Sequence, residues 1–359
     1  MLLYAGKSPS TIALEKPREN FELWLEWRSQ GEAGLGVRSL PLVRLGGAGT
    51  TVRTADGFVE DVPASDNAAG EWNTLYVKVS DDRITVVENG VTVVGNRTME
   101  NLREPGMPVD VTGTVWIAGL GSPVELRDMW LRELPSTPLY ELSEEERAEG
   151  FELLFDGRSL HKWTGNKVNY VPLDGTIDVT ASYGGGGNLY TKKEYGDFIL
   201  RFEFRFLHEA VNNGIGIRTP MGVDAAFDGM EIQVLDHDAP IYRDLHAYQQ
   251  HGSVYGVIAA KRVVFPPLGE WNVEEIRAVG DHITVTVNGE VILDGNIREA
   301  CQGHAVAPDG GTENPYMIDH RNHPGLFNKR GHIAFCGHGA GIQFRRVRIL
   351  DLSPEADAK

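Results

Sequence analysis

The sequence predicts an all-β protein built from two antiparallel β-sandwiches of the jelly-roll kind. Strand-like runs of about four to nine residues recur along the chain, separated by glycine, asparagine and aspartate. Patterns typical of long amphipathic helices do not occur. In the second half, the predicted strands are 198–206, 215–218, 230–235, 273–279, 283–287, 333–336 and 342–350.

Two tight turns support antiparallel pairing of these strands. Asn288-Gly289 lies between two apolar runs, and Asn89-Gly90 lies between two more in the first half. Asn-Gly suits a type I′ turn, because both central residues of that turn need a positive φ. Each pair therefore predicts a two-residue hairpin.

The chain also contains an internal repeat. Gly70–Asn73 (GEWN) recurs as Gly269–Asn272, and 84–90 (ITVVENG) recurs as 283–289 (ITVTVNG), both at an offset of 199. Earlier strands match at offsets of 177 and 180, and the closing strands match at 218. The offset rises by 19 residues at two places, so the second copy carries two additional segments.

Additional segments in one copy of a scaffold suggest that this copy carries the chemistry, because function concentrates in loops on a rigid frame. We expect both segments to lie at one end of the second sandwich. Ser143 before three glutamates predicts a short, solvated, N-capped helix between the copies. The expected division is a degenerate, non-catalytic jelly roll at 1–134, a linker at 135–150, a catalytic jelly roll at 151–353 and a tail at 354–359.

The composition restricts the class of partner. A formal net charge of -17 disfavours nucleic acid and anionic membranes, since both need a basic surface. Cys301 and Cys336 are too few for a disulfide framework. No apolar run of about eighteen residues occurs, so no membrane-spanning helix is expected.

Five motifs follow one another in the second half of the chain. They are FELLFDGRSLHKW (151–163), NNGIGIRTP (212–220), GMEIQVLD (229–236), HGSVYGVIAAKR (251–262) and GHIAFCGHGAGIQFRRVRI (331–349). Together they resemble the 3-keto-disaccharide hydrolase family, over essentially all of 150–352, whereas the first copy resembles it weakly. The resemblance implies a concanavalin-like jelly roll and a carbohydrate substrate, a glycoside whose C3 hydroxyl has been oxidised to a ketone.

The implied reaction follows from the chemistry of such a substrate. A ketone at C3 acidifies the proton on C2, so a base can remove it and the enolate can expel the glycosidic oxygen from C1. Water addition afterwards makes the net change a hydrolysis. The site needs a base, a positive or hydrogen-bonding group at the C3 oxygen, and an acid for the leaving group, but no nicotinamide or other cofactor.

We expect the catalytic residues to be Glu231, His251, His338 and Lys261. Glu231 alternates with apolar residues in a predicted strand, which places it on one face with Gln233. Either histidine, each beside glycines that admit a substrate, could be the base, and Lys261 could stabilise the enolate oxygen. Structural roles for the histidines and solvation of the lysine are the competing interpretations.

The expected substrate-binding residues are Arg218, Gln233, Asp236 and Tyr255. Arg38 occupies the position of Arg218 in the first copy, so a structural arginine in both copies is an equal alternative. A solvent-facing Gln233 and a packed Tyr255 are the corresponding alternatives for those residues.

A divalent metal ion is a further option for holding the enolate oxygen. Potential oxygen and nitrogen ligands crowd two loops, and their spacing fits no recognised zinc pattern, so the ligand set stays open. The first loop carries Asp236, His237, Asp238, His246 and His251, and the second carries His320 and His323.

Two other functions remain in view. A lectin-like module would bind glycan without cleaving it, and an ordinary glycosidase would need two carboxylates about 5 to 9 Å apart. Gln233 stands where a second acid would follow Glu231, which disfavours the glycosidase. Family members are generally exported, which implies the bacterial periplasm or outer surface, with a leader removed upstream of Met1. The oligomeric state stays open.

Overall fold

The computed structural model divides the chain into two compact units, Met1–Thr137 and Pro138–Lys359. The division falls inside the expected linker, and the expected tail lies outside the described residues. Those residues are 11–38, 40–46, 49–54, 57–59, 67–104, 107–179 and 187–353.

The first unit consists of antiparallel sheets with an apolar core. Its described strands are β1 Thr11–Ala13, β2 Phe21–Ser29, β3 Glu32–Val37, β4 Leu40–Leu45, β5 Thr51–Thr54, β6 Gly57–Val59, β7 Asn73–Ser80, β8 Arg83–Glu88, β9 Val91–Thr98, β10 Trp116–Leu120 and β11 Val124–Glu133. They form two sheets, in the orders β1-β10-β3-β4-β5-β6 and β11-β2-β7-β8-β9. Alternate residues of β2, namely Phe21, Leu23, Leu25 and Trp27, lie in the core. This period of two gives β2 one buried face.

The second unit repeats this arrangement with one larger, eight-stranded sheet and one five-stranded sheet. Its described strands are β12 Glu152–Leu153, β13 Trp163–Gly165, β14 Tyr170–Leu173, β15 Thr176–Val179, β16 Leu189–Thr191, β17 Phe198–Phe206, β18 Asn212–Thr219, β19 Met230–Leu235, β20 Asn272–Val279, β21 His282–Val287, β22 Glu290–Asn296, β23 His332–Phe335 and β24 Ile342–Asp351. The sheet orders are β14-β15-β24-β17-β20-β21-β22, with β12 beside β24, and β13-β16-β23-β18-β19. Short helices are α1 Glu144–Glu149, α2 Ala225–Asp228 and α3 Ile297–Ala300, with 3₁₀ turns at Pro240–Tyr242 and Ala247–Gln249. The all-β prediction is confirmed.

The core of the second unit is strongly aromatic. Phe198, Phe202 and Phe204 of β17 are fully buried, and Phe335 of β23 stacks on Phe344 of β24 with ring centroids 4.3 Å apart. Stacked and edge-to-face aromatic pairs add to the free energy gained from burial alone. This core fixes the two sheets against each other and so fixes the outer faces that carry polar residues.

Alternation along β19 determines which residues lie outside that core. Met230, Ile232 and Val234 belong to the core, so Glu231 and Gln233 point to the outer side of the sheet. On the neighbouring strands, the residues that alternate with core residues also point to this outer side, and some of them are polar. We call this surface the Glu231 face, and it comprises Tyr190, Asn212, Glu231, Gln233 and Cys336.

Both predicted Asn-Gly hairpins are present. Asn288 and Gly289 have φ values of 50° and 84°, and Asn89 and Gly90 have values of 48° and 80°. They connect β21 to β22 and β8 to β9. Positive φ at both central residues is the type I′ geometry that the sequence indicates.

The short helix predicted after Ser143 exists, at Glu144–Glu149, but it is not simply solvated. The Ser143 hydroxyl accepts from the Glu146 N–H, and the Glu146 carboxylate accepts from the Ser143 N–H, which forms a capping box. Glu146 also accepts a hydrogen bond from Arg348 Nε at 2.5 Å, and Tyr140 N–H donates to Asp156 O at 2.8 Å. Residues after Thr137 therefore pack onto the second unit instead of forming a free linker.

Among the described residues, no helix is long and apolar enough to cross a membrane.

Candidate functional site

Glu231 reaches across the neighbouring strand because that strand carries a glycine. Glu231 is paired with Gly216 of β18, and Gln233 with Gly214. A Cβ added at Gly214 would lie 1.9 Å from Glu231 Oε1. The carboxylate therefore lies flat over Gly214, in space that any other residue would fill.

The chain after β23 brings a histidine to this carboxylate. The Cys336 N–H donates to Gly214 O at 2.9 Å, and the His338 N–H donates to Cys336 O at 3.0 Å. His338 Nε2 then lies 3.0 Å from Glu231 Oε1. Three adjacent strands, β19, β18 and β23, thus position the Glu231–His338 pair.

The pair has a definite polarity. Because a carboxylate can only accept, Nε2–H of His338 is the donor to Glu231. This hydrogen bond raises the pKa of His338, burial opposes the rise, and the charge of Asp224 adds to it. Within the described residues, Nδ1 of His338 has no hydrogen-bond partner. The His338 side chain is 43% exposed, so a ligand can reach the ring.

Cys336 completes a small cluster that the sequence analysis did not single out. Burial raises the pKa of the Cys336 thiol well above its usual value, and the charge of Glu231 adds to this effect. One ligand atom each from Glu231, Cys336 and His338 lies within 4.8 Å of the others. In the described part of the chain, this group is the one whose donors could surround a metal ion. Cys336 shares the strand phase of Ala334, opposite the core residue Phe335, so alternation along β23 could have revealed it.

Gln233 and Tyr255 lie on the same side as Glu231. Gln233 is 6% exposed, its Nε2 lies 3.5 Å from Asn212 Oδ1, and its Oε1 has no hydrogen-bond partner. The Tyr255 N–H donates to Glu231 O at 2.9 Å, and its hydroxyl accepts from Gln249 at 3.4 Å. Both side chains thus keep hydrogen-bonding capacity for a ligand.

His251 is not part of this arrangement, and its surroundings favour the structural alternative over the expected catalytic role. Its side chain is fully buried, with Nε2 3.2 Å from Glu274 Oε2 and Nδ1 accepting from the Leu235 N–H. The ring packs 5.1 Å from Phe204 and 5.0 Å from Phe265. The ring lies inside the core, on the opposite side of β19 from the Glu231 face, with Nδ1 hydrogen-bonded and Nε2 beside the Glu274 carboxylate.

Arg218 is likewise a structural residue, and its expected contact with substrate is not supported. It is 1% exposed and donates to Gly196 O at 2.8 Å, Gly280 O at 2.7 Å and Asp197 Oδ1 at 3.0 Å. Arg38 has the same φ of 50° and makes the equivalent hydrogen bonds in the first unit. Its acceptors are Glu19 O at 3.1 Å, Asp81 O at 2.5 Å and Asn20 Oδ1 at 3.2 Å. The structural alternative for this arginine therefore holds in both units.

Asp236 and Lys261 also lie away from the pair. Asp236 Oδ2 accepts from the Ala210 N–H at 2.9 Å, and so fixes the turn before β18. Lys261 is exposed, and its backbone N–H donates to Ile292 O at 2.7 Å. Of the eight expected site residues, Glu231, Gln233, Tyr255 and His338 share one face, whereas His251, Arg218, Asp236 and Lys261 are not joined to it by a side-chain contact within the described ranges.

The first expected group of metal ligands does not assemble. His237 Nε2 donates to Val263 O at 2.9 Å, and Asp238 forms an ion pair with Arg262 at 2.6 Å. His246 is exposed and stacks on a neighbouring tyrosine. Each of these side chains already has its own partner. The residues are close together in the sequence but do not form one metal site.

The second expected group is divided as well. His323 is fully buried, with Nδ1 2.8 Å from Ala226 O and Nε2 3.1 Å from Asp319 Oδ2, while His320 is exposed. A Cβ added at Gly256 would lie 2.5 Å from Asp319 Oδ2 and 2.7 Å from His323 Nε2. The two additional segments of the second unit therefore contact each other, which places them on one side of the sandwich.

The profile of the family described as 3-keto-alpha-glucoside-1,2-lyase-like domain matches residues 2–132 and 150–350. The chain belongs to this 3-keto-alpha-glucoside-1,2-lyase-like family. The resemblance deduced from the motifs is confirmed, and membership places the chain among carbohydrate-active proteins.

The sequence identity between this chain and individual relatives is low. A protein of Bacteroides thetaiotaomicron named 3-keto-disaccharide hydrolase is 27% identical over 237 residues, which are 57% of this chain and 80% of the relative. A solved structure from Parabacteroides distasonis, provisionally named a glycosyl hydrolase, is 23% identical with a TM-score of 0.48 and covers 59% of this chain and 99% of that one. A carbohydrate-binding module from Bacillus subtilis is 14% identical with a TM-score of 0.31 and covers 52% of this chain and 94% of that one.

The family match covers both units, but the first unit differs at the positions of the pair. Leu120 stands at the repeat position of His338, and a Cβ at Gly34 would lie 3.5 Å from Leu120 Cδ1. Trp116 covers Gly36, where an added Cβ would lie 2.0 Å from its ring. In the described residues of the first unit, apolar side chains thus cover Gly34 and Gly36, the repeat counterparts of Gly214 and Gly216.

Proposed function

We propose that the second unit cleaves 3-keto-glycosides by removing the proton from C2 and eliminating the aglycone from C1, with subsequent water addition giving a net hydrolysis. The observation that carries this proposal is the Glu231–His338 pair, in which the carboxylate holds one imidazole nitrogen and leaves the other open. Membership of the family and the name of the Bacteroides relative support the same substrate class.

His338 is the proposed base. Its Nδ1 takes the proton from C2, and the electrons of the C2–H bond form an enolate with the C3 oxygen. Collapse of the enolate restores the C3 ketone, forms a C1–C2 double bond and breaks the bond from C1 to the glycosidic oxygen. The protonated imidazole, stabilised by Glu231, returns its proton to the departing oxygen. Addition of water across the C1–C2 bond then yields the free 3-keto sugar.

Gln233 and Tyr255 are the proposed substrate-binding groups of this face. Gln233 Oε1 is a buried acceptor without a partner, and such an atom gains free energy from a hydroxyl donor. The Tyr255 hydroxyl already accepts a hydrogen bond, so its own proton can be donated to a carbohydrate oxygen. Together they would orient the sugar ring over the Glu231–His338 pair.

The reaction as proposed needs no cofactor. The substrate enters with its ketone in place, and elimination followed by hydration leaves the oxidation level of the sugar unchanged. Proton transfer and positioning are the contributions required of the protein. A bound metal is therefore optional in this scheme.

The decisive experiment compares a 3-keto-glucoside with the corresponding ordinary glucoside. We expect cleavage of the keto substrate alone, and we expect His338→Ala to lower the rate by about 10²- to 10⁴-fold while affinity changes little. His282→Ala is the matched control, because His282 forms an exposed pair with Asp294 on the other sheet, at 2.6 Å.

Two results would contradict the proposal. Parent-like turnover by His338→Ala would exclude this histidine as the base. Binding of both glucosides without cleavage of either would instead support the lectin-like alternative.

The first unit is proposed to be non-catalytic, and the protein is proposed to act in the periplasm or on the outer surface of a bacterium. The apolar cover of Leu120 and Trp116 supports the first statement, and the family resemblance supports the second. Substitution of Leu120 should leave turnover unchanged, and cell fractionation of the native host tests the location.

A further inference from the structure

An exposed aromatic cluster lies on the outer face of one sheet of the first unit. Trp24 of β2 is opposite Trp130 of β11 and Tyr76 of β7. The two indole rings are stacked, with centroids 3.8 Å apart and an interplanar angle of 8°, and Tyr76 lies 4.8 Å from Trp24. Trp130 is 55% exposed. We call these three residues the Trp24 cluster.

The cluster lines a depression with polar edges. This pocket has a volume of about 340 Å³, and Glu26, Thr74 and Asp128 are among the other residues that line it. The Asp128 side chain is 77% exposed. An aromatic floor with carboxylate and hydroxyl groups at its rim can contact one apolar face of a ligand and several of its hydroxyl groups.

The equivalent positions of the second unit carry charges instead of rings. Arg201, Glu275 and Arg348 occupy the repeat positions of Trp24, Tyr76 and Trp130. Arg201 Nε donates to Glu275 Oε2 at 2.6 Å, and Arg348 Nε donates to the α1 residue Glu146 at 2.5 Å. The same fold therefore closes this face with ion pairs in one unit and leaves aromatic rings exposed in the other.

The surroundings of these positions are alike in both units. Trp72 lies between Arg28 and Arg127, whose guanidinium carbons are 4.6 and 4.2 Å from its ring. The equivalent distances in the second unit are 4.6 Å from Trp271 to Arg205 and 4.0 Å to Arg345. Because the scaffold is the same, the sandwich does not require three aromatic residues at the cluster. Exposed aromatic patches of this kind usually mark a binding site.

We propose that the Trp24 cluster binds the sugar rings of an uncharged glycan. The C–H face of a pyranose is apolar and flat enough to stack on an indole, while its equatorial hydroxyls reach the exposed acceptor Asp128. Arg127 and Arg132, which lie beside the cluster, are ion-paired with Glu26 and Glu22, whereas Asp128 is exposed. This exposed carboxylate and the net charge of -17 oppose an anionic polymer. This site is separate from the Glu231 face. Glycan binding at the cluster does not depend on whether the second unit cleaves 3-keto-glycosides.

The test is affinity electrophoresis of the full chain in gels containing dextran or laminarin, with polygalacturonate as the anionic comparison. We expect retardation by a neutral glucan, no retardation by polygalacturonate, and at least about tenfold weaker binding for Trp130→Ala. Trp130→Tyr should keep much of the affinity, because it retains an aromatic ring. Leu120→Ala is the control, since Leu120 is an exposed apolar residue of the same unit but of its other sheet.

Turnover of a small soluble 3-keto-glucoside by Trp130→Ala should equal the parent rate, which separates this site from the proposed reaction. Parent-like retardation of folded Trp130→Ala, or no retardation of the parent by either neutral glucan, would overturn the proposal. Dimers that dissociate on Trp130→Ala, without glucan binding, would show that a second copy covers the cluster and would equally overturn it.

Discussion

The carboxylate of Glu231 spans β18 and meets His338 Nε2 at 3.0 Å, directly above Gly214. This relationship joins two motifs that are more than a hundred residues apart in the chain. It also assigns the two imidazole nitrogens different tasks, because Nε2–H is committed to the carboxylate and Nδ1 is open. The chemistry of the second unit therefore depends on how firmly Glu231 holds this ring.

The first prediction concerns the pH dependence of the reaction. The hydrogen bond to Glu231 raises the pKa of His338, and a base must be neutral to accept a proton, so kcat/KM should rise with pH through that raised value. Glu231→Gln removes the negative charge and should shift this acid limb to lower pH while lowering the rate. The measurement is kcat/KM against pH for both proteins, with His282→Ala retaining the parent profile. An unchanged limb in Glu231→Gln would show that the pair does not control the titration.

A second prediction uses the glycine beneath the carboxylate. In Gly214→Ala, the new methyl group would lie 1.9 Å from Glu231 Oε1 and 2.7 Å from its Cδ, so the carboxylate must leave His338. We expect turnover to fall to the level of Glu231→Ala, with a loss of stability of about 1 to 3 kcal/mol. The matched control is Gly34→Ala, where the new methyl group meets Leu120 at an ordinary 3.5 Å. Equal activity of Gly214→Ala and Gly34→Ala would contradict the geometry described for the pair.

The fold could be predicted because it follows from local patterns. Alternation along β19 placed Glu231 and Gln233 on one side, and the Asn-Gly pairs fixed two hairpins. Comparison of Arg38 with Arg218 also contained the correct alternative, since both arginines bind backbone oxygens at the end of a strand pair. These inferences need no knowledge of how distant strands meet.

The site was only partly predictable, because its membership depends on which way irregular segments turn. His251 lies outside a regular strand, so no periodicity indicates that its ring enters the core. Its partner did leave a signal, since Glu274 has the phase of the core residues Ile276 and Ala278, and a buried acid needs a partner. The histidines at 237–251 are close together in the sequence, but this was misleading, because each side chain contacts a different partner and they do not converge on one site.

The buried His251–Glu274 pair leads to a third prediction, about stability. Removing His251 leaves the carboxylate of Glu274, which is fully buried, without its partner at 3.2 Å. His251→Leu should therefore cost about 3 to 5 kcal/mol in the free energy of unfolding, whereas His251→Leu combined with Glu274→Met should be close to neutral. Urea denaturation of the parent and the variants measures this difference.

The same variants separate structure from catalysis. Below its unfolding transition, the double variant should turn over a 3-keto-glucoside at close to the parent rate, because neither side chain lies on the Glu231 face. A rate loss of about 10²-fold in the folded double variant would restore His251 as a candidate base.

The last prediction concerns metal ions at the cluster of Glu231, Cys336 and His338. These residues offer oxygen, sulfur and nitrogen donors within 4.8 Å of one another, a set that Zn²⁺ binds well. In the proposed reaction, the imidazole must be free to take a proton, so a Zn²⁺ ion on His338 would compete with catalysis. Protein treated with EDTA should therefore keep the parent rate on a 3-keto-glucoside, and added Zn²⁺ should inhibit it.

Cys336→Ala provides the control for this inhibition, because it removes the thiolate ligand but leaves Glu231 and His338 in place. We expect this variant to need more Zn²⁺ for half-inhibition and to keep much of the parent turnover. Mg²⁺ should have little effect, since it prefers an all-oxygen coordination shell. If EDTA abolished turnover and a stoichiometric divalent ion restored it, the cluster would hold an essential metal, and His338 would act as its ligand instead of as the base.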